Sequence, residues 1–139
     1  MTEDDAIEEI RQQKIEELRD RTGGADGEST AESAPEEPVP VHGAAELNDV
    51  VGNHDVVLAD FYADWCGPCQ MLEPVVDSIA AETAATVVKV DVDANQRLAS
   101  EYGVRGVPTL VLFADGEPAE RLVGMQDEAQ LRTTVENYA

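Results

Sequence analysis

From Val41 onward, apolar residues fall in two alternating rhythms, short solid runs and spaced helical stripes, and they are much sparser before it. Val56–Tyr62 (Val-Val-Leu-Ala-Asp-Phe-Tyr) and Thr86–Val92 (Thr-Val-Val-Lys-Val-Asp-Val) are near-continuous runs, as in strands buried on both faces. Ala44–Val51 reads as a short helix. A longer helix is expected to start at Cys66 and run to about Ala85. Pro68 then falls in its first turn, where a fixed φ and a missing N–H cost nothing, and Pro74 falls in its interior. Gln96–Tyr102 is a short helix stopped by Gly103. Thr109–Ala114 and Glu120–Val123 read as strands joined through Asp115-Gly116, a pair that suits a two-residue hairpin turn. A last helix follows Asp127, whose carboxylate suits an N-cap with Gln130 three residues on. Leu131, Val135 and Tyr138 are its expected buried face. This alternation predicts an α/β domain, a central mixed sheet flanked by helices on both faces.

A chain of 139 residues holds one ordinary domain and a tail, not two cores. The composition changes near residue 40: the first forty residues hold 13 acidic and 4 basic residues and no aromatic residue. Thr22–Pro40 is rich in Gly, Ser, Glu and Pro, which bury too little apolar surface to offset the entropy of ordering. The expected organisation is an acidic extension over 1–38 and a domain over 39–139. Within the extension, Ile7, Ile10, Ile15 and Leu18 fall on one helical stripe. Four aliphatic residues allow a docking helix or a solvated tail, and the marginal stability of short isolated helices favours the tail.

Charge narrows the partners. Thirty acidic against nine basic residues leave a net charge of -21, and the only lysines are Lys14 and Lys89. Nucleic acid and anionic membranes are repelled by such a surface. The longest apolar run is about eight residues, where a membrane span needs about 20. Residues 1–21 carry no apolar stretch, so neither an export signal nor an anchor is expected, and the expected location is cytoplasmic. The self-repulsion of this surface is screened over roughly 3 Å in about 1 M salt. Acidity with so little lysine therefore points to a salt-rich cytoplasm such as that of halophilic archaea.

The two cysteines stand three residues apart, in Cys66-Gly67-Pro68-Cys69, and cannot staple distant parts of the chain. In a reducing compartment such a pair is catalytic or metal-binding. A thiol attacks as its thiolate, and a cysteine in the first turn of a helix is favoured in that form by the helix dipole and unpaired backbone N–H groups. Cys66 holds that position, and Cys69 comes round the same turn within disulfide reach. Zinc asks for about four ligands, and the chain has no second cysteine pair. His42 and His54, its only histidines, lie in polar loop contexts and read as surface residues. No metal and no bound cofactor are expected. A carboxylate inside an apolar strand is costly unless partnered or protonated, so desolvation should raise the pKa of Asp60. Lys89, equally out of place in Thr-Val-Val-Lys-Val-Asp-Val, is the counter-charge expected on a neighbouring strand.

Asp60-Phe61-Tyr62-Ala63-Asp64-Trp65-Cys66-Gly67-Pro68-Cys69-Gln70, followed by Lys89 in a strand and by Gly106-Val107-Pro108-Thr109, resembles the thioredoxin family over residues 39–139. The resemblance implies the thioredoxin fold and a thiol-disulfide oxidoreductase that reduces protein disulfides. Cys66 would be the nucleophile and Cys69 the resolving thiol. Asp60 would be a proton relay beneath Cys69, with Lys89 its charge partner. The resemblance also implies a cis bond between Val107 and Pro108, facing Cys66. The Val107 backbone could then pair with an extended substrate segment as an added strand does. Trp65, Gly67, Pro68, Gly106, Val107, Pro108 and Gly124 would make the substrate-binding surface around the sulfur. Implied partners are disulfide-bearing client proteins and a thioredoxin reductase, met by a monomer. Two positions depart from the family pattern, Gln70 where many members have lysine and Tyr62 where many have tryptophan. Oxidising relatives usually carry a histidine between the cysteines, which is absent here, and a purely adaptor role would not require an intact cysteine pair.

Overall fold

The structure, a computed structural model, describes residues 34–139. The Ile7, Ile10, Ile15 and Leu18 stripe therefore lies outside the described residues. The elements are β1 (Val39–Pro40), α1 (Gly43–Asn53), β2 (Val56–Tyr62), α2 (Gly67–Glu82), β3 (Thr86–Asp91), α3 (Gln96–Glu101), β4 (Thr109–Ala114), β5 (Glu117–Val123) and α4 (Glu128–Glu136). They form one five-stranded sheet in the order β1-β3-β2-β4-β5. β1 and β2 run parallel to β3, while β4 is antiparallel to both β2 and β5. The mixed sheet expected from the apolar pattern is present.

Side chains alternate across each strand, and the two faces collect separate cores. Val57, Ala59 and Phe61 of β2 join Val88, Val90, Val111 and Phe113 beneath Leu47 and Val51 of α1 and Leu98 and Ala99 of α3. Val56 and Leu58 join Val87, Leu110 and Leu112 on the opposite face, under Leu72, Val76 and Ile79 of α2 and Leu131 and Val135 of α4. By the same parity Asp60 follows Val56 and Leu58, and Lys89 follows Val87, onto the face that α2 covers. Strand register then makes Asp60 and Lys89 direct partners across β2 and β3. Burying a carboxylate and an ammonium side by side under the helix that carries both cysteines is thus a consequence of strand phase.

The hairpin between β4 and β5 is a two-residue turn at Asp115 and Gly116, with φ of 52° and 90°. That backbone suits glycine and is tolerated by aspartate. Asp127 caps α4, its carboxylate accepting from the Gln130 N–H at 3.1 Å. Several element ends shift by one or two residues, and four larger differences from the sequence expectation have a local cause. β1 is a two-residue strand in a stretch read as linker, held by pairing with β3 and by the Val41 N–H bonded to the Lys89 carbonyl. β5 begins at Glu117 rather than Glu120, since an outermost strand tolerates Pro118, and a register shift there absorbs one residue. α2 ends at Glu82, where the Thr83 hydroxyl donates back to the Ile79 carbonyl. Tyr138 is not part of the buried face of α4: the helix ends at Glu136, and Tyr138 is 37% exposed, its hydroxyl bonded to Glu120 Oε2 at 2.6 Å. Among the described residues no helix is long and apolar enough to cross a membrane, and no three metal-ligating side chains converge.

Candidate active site

Cys66 is the N-cap of α2, with an extended backbone at φ -94° and ψ 110°. That geometry turns its side chain back over the first helical turn, where Sγ accepts the Cys69 N–H at 3.2 Å. First-turn amides have no carbonyl partner inside the helix, so sulfur at this point meets donors and the positive end of the helix dipole. The two sulfurs are bonded, with Cα atoms 5.3 Å apart. Both cysteines are nearly covered, packed with Ala63, Tyr62, Val92 and Val107.

Three further segments converge here. The Trp65 ring is 71% exposed, yet its indole N–H is fixed to Asp93 Oδ2 at 2.8 Å. The Val107–Pro108 bond is cis, and Val107 packs against the cysteine pair. The Thr109 hydroxyl donates to the Gly106 carbonyl at 2.7 Å, and the Gly124 N–H donates to the Pro108 carbonyl at 2.8 Å. Gly124 has a φ of 87°, a conformation glycine adopts without strain. A Cβ added at Gly67 or Gly106 would meet nothing within 4 Å, so both positions border open space. Trp65, Gly106, Val107, Pro108 and Gly124 belong to these segments, and Gly67 and Pro68 to the first turn of α2. His42 and His54 instead flank α1, at its N-cap and C-cap positions.

A charged pair lies on the sheet face that α2 covers. Asp60 is fully buried and neither carboxylate oxygen receives a hydrogen bond. Lys89 Nζ stands 3.4 Å from Oδ2, an ion pair rather than a hydrogen bond. Burial pushes the Asp60 carboxyl up from 3.8 to about 6, Lys89 pulling against that and Glu73 adding to it. Lys89 also lies 4.4 Å from the centre of the Tyr62 ring and 3.7 Å from Glu73 Oε1. Cys69 and Lys89 line a common cleft of about 250 Å³ with Tyr62, Asp64, Gln70 and Glu73. A space of that size admits several waters, each occupying about 30 Å³. The Gln70 side chain donates to the Asp64 carbonyl at 3.0 Å and adds no charge to the rim.

Sequence reasoning missed Glu73, Asp93 and the Thr109 hydroxyl. Glu73 carried one usable signal: it stands four residues after Cys69, so the two share a helix face.

The thioredoxin family model matches residues 38–137. A thioredoxin from Chlamydia muridarum is 51% identical over 77 residues, covering 55% of this chain and 76% of its own length. A bifunctional thioredoxin reductase/thioredoxin from Mycobacterium leprae is 43% identical over 95 residues, 67% of this chain and 21% of its own. The solved structure of a mutant thioredoxin from Halobacterium salinarum matches with a TM-score of 0.75 and 64% identity, covering 78% of this chain and 96% of that one.

Proposed function

The chain belongs to the thioredoxin family, and from that starting point we propose how its residues divide the work of a thiol-disulfide oxidoreductase that cycles between dithiol and disulfide at Cys66-Gly67-Pro68-Cys69. In the reduced protein the Cys66 thiolate, held by the first-turn amides of α2, attacks one sulfur of a client disulfide. A mixed disulfide forms, and the electron pair of the broken bond leaves on the other client sulfur, which takes a proton from water. The Asp60 carboxylate, buried behind Lys89 at the cleft that Cys69 lines, then accepts the Cys69 proton. The Cys69 thiolate attacks the Cys66 sulfur, the protein disulfide closes, and the second client thiolate departs and is protonated. Two electrons pass from the dithiol to the client. A carboxyl near 6 exchanges protons readily close to neutral pH, which supports Asp60 in this role. Lys89 offsets the burial of the Asp60 charge.

Docking follows the same segments. An extended client strand pairs with the Val107 backbone, while Trp65, Gly67, Pro68, Gly106, Pro108 and Gly124 border the sulfur. The missing side chains at Gly67 and Gly106 leave room for close approach of a backbone. Recognition of backbone rather than side chains suits many clients. The partners are disulfide-bearing proteins and a thioredoxin reductase, a pairing supported by the bifunctional Mycobacterium leprae relative.

The protein works as a monomer in a salt-rich cytoplasm, a reading supported by its net charge of -21, its two lysines and its likeness to the Halobacterium salinarum protein. Residues 1–38 are an acidic extension that leaves the chemistry to residues 39–139. The observation that carries the proposal is the cysteine pair at the N-terminus of α2 with Asp60 and Lys89 behind it. Reduction of insulin disulfides by dithiothreitol tests it. The protein should accelerate the reaction and Cys66→Ser should not; equal rates with and without the protein refute the proposal.

A further inference from the structure

One ammonium in this site faces two carboxylates. Lys89 Nζ is 3.4 Å from the buried Asp60 and 3.7 Å from Glu73, whose side chain is 57% exposed at the cleft that Cys69 lines. We propose that Glu73 is a positioning residue for disulfide reduction: it shares the Lys89 ammonium with Asp60 and so keeps the buried carboxyl able to hold the Cys69 proton near neutral pH. The inference rests on the reading of Asp60 as the acceptor of that proton.

Two effects of the same sign support it. Glu73 draws on the positive charge that would otherwise serve Asp60 alone, and it adds negative charge of its own. Through the shared ammonium the nearest carboxylate oxygens are no more than about 7 Å apart. With water-like screening, unit charges at that distance shift a titration by about half a pH unit. Among the described residues, the charged groups bearing on Asp60 are Lys89 from β3 and Glu73 from α2. From β4 the register partner is Leu110, which does not titrate. On β2 itself, Tyr62 is raised by its own burial, by Asp91 and Asp64, and then by Asp60 and Glu73, so it stays neutral at working pH. An exposed ion pair is by itself worth little to stability, so removing the Glu73 charge should leave the fold intact and act on the Asp60 titration.

The experiment compares the native protein with Glu73→Gln and Glu73→Asp, full length, in about 0.2 M and about 2 M potassium chloride. Carbon-13 NMR follows the Asp60 carboxyl in the oxidised protein, and insulin reduction is followed against pH. Glu73→Gln should lower the Asp60 midpoint and the acidic limb of the turnover profile together, by about 0.2 to 0.4 unit at the lower salt and by much less at the higher. Glu73→Asp should restore both in part. An Asp60 midpoint unmoved by Glu73→Gln overturns the proposal at Glu73. A midpoint that moves while the turnover profile stays fixed overturns it at Asp60, the proton-acceptor reading on which it rests.

Discussion

Replacing Asp60 by asparagine removes the one fully buried carboxylate among the described residues while keeping its size and polarity. In the folded protein that carboxyl titrates at about 6 rather than 3.8, because burial disfavours its charge more than Lys89 favours it. A raised folded-state pKa means that the native state binds the proton more tightly than the unfolded chain. Its contribution to stability is therefore complete below about pH 4 and is lost as pH rises through about 6. The loss is roughly two pKa units, or about 3 kcal/mol, fully present at pH 8. Asparagine does not titrate, so Asp60→Asn should escape that loss. At pH 4 the variant and the native protein should differ by under about 1 kcal/mol from this source. At pH 8 the variant should gain about 2 to 3 kcal/mol relative to that baseline, which for a domain of this size is about 10 °C or more in Tm. Thermal unfolding followed by circular dichroism at pH 4, 6 and 8, with the disulfide intact and about 2 M potassium chloride, measures it. Turnover should fall in the same variant, since no carboxylate remains to accept the Cys69 proton. A Tm difference that is the same at pH 4 and pH 8 refutes the argument, because the cost of burying the charge would then not be what Asp60 contributes.

Asp127→Ala should cost about 1 kcal/mol and lower Tm by about 4 to 8 °C, by removing the acceptor for the Gln130 N–H at the start of α4; an unchanged Tm would show that solvent replaces the cap without loss. Deleting residues 1–38 should leave insulin reduction and Tm nearly unchanged, whereas a large drop in Tm would show that the Ile7, Ile10, Ile15 and Leu18 stripe contributes to the fold. Residues 41–139 hold 17 acidic and 5 basic residues, a net of -12, so raising potassium chloride from about 0.05 M to about 2 M should increase Tm markedly in both full-length and truncated protein. A flat or falling midpoint across that range contradicts adaptation to a salt-rich cytoplasm.

Much of this structure is legible in the amino-acid sequence, for identifiable physical reasons. Val56–Tyr62 and Thr86–Asp91 announced themselves because a strand covered on both faces cannot afford alternation. Asp60 and Lys89 were visible as misfits in those same runs, and strand parity turned two misfits into one ion pair. Asp115-Gly116 was legible because few residues accept positive φ at both turn positions. What escaped was whatever depends on a distant partner. β1 is two residues long and exists through its pairing with β3. The first residues of β5, Glu117 and Pro118, look like turn residues until the sheet edge is known. Tyr138 keeps the helical spacing of Leu131 and Val135 but lies beyond the point where α4 stops. The cis bond before Pro108 was implied by family resemblance alone, since local sequence seldom distinguishes the isomers. Glu73 and Asp93 were lost among the acidic residues, most of which, among those described, do face water.

The order of attack is the central claim, and mass spectrometry of trapped intermediates tests it most directly. Cys69→Ser and Cys66→Ser are each reduced, mixed with a disulfide-bearing client and quenched with acid, and the adducts are mapped by peptide. Cys69→Ser should hold the client as a stable mixed disulfide on Cys66, because the thiol that would resolve it is gone. Cys66→Ser should hold none. Stable adducts on Cys69 in Cys66→Ser, with none on Cys66 in the reverse variant, would contradict the assignment and exchange the roles of the two cysteines.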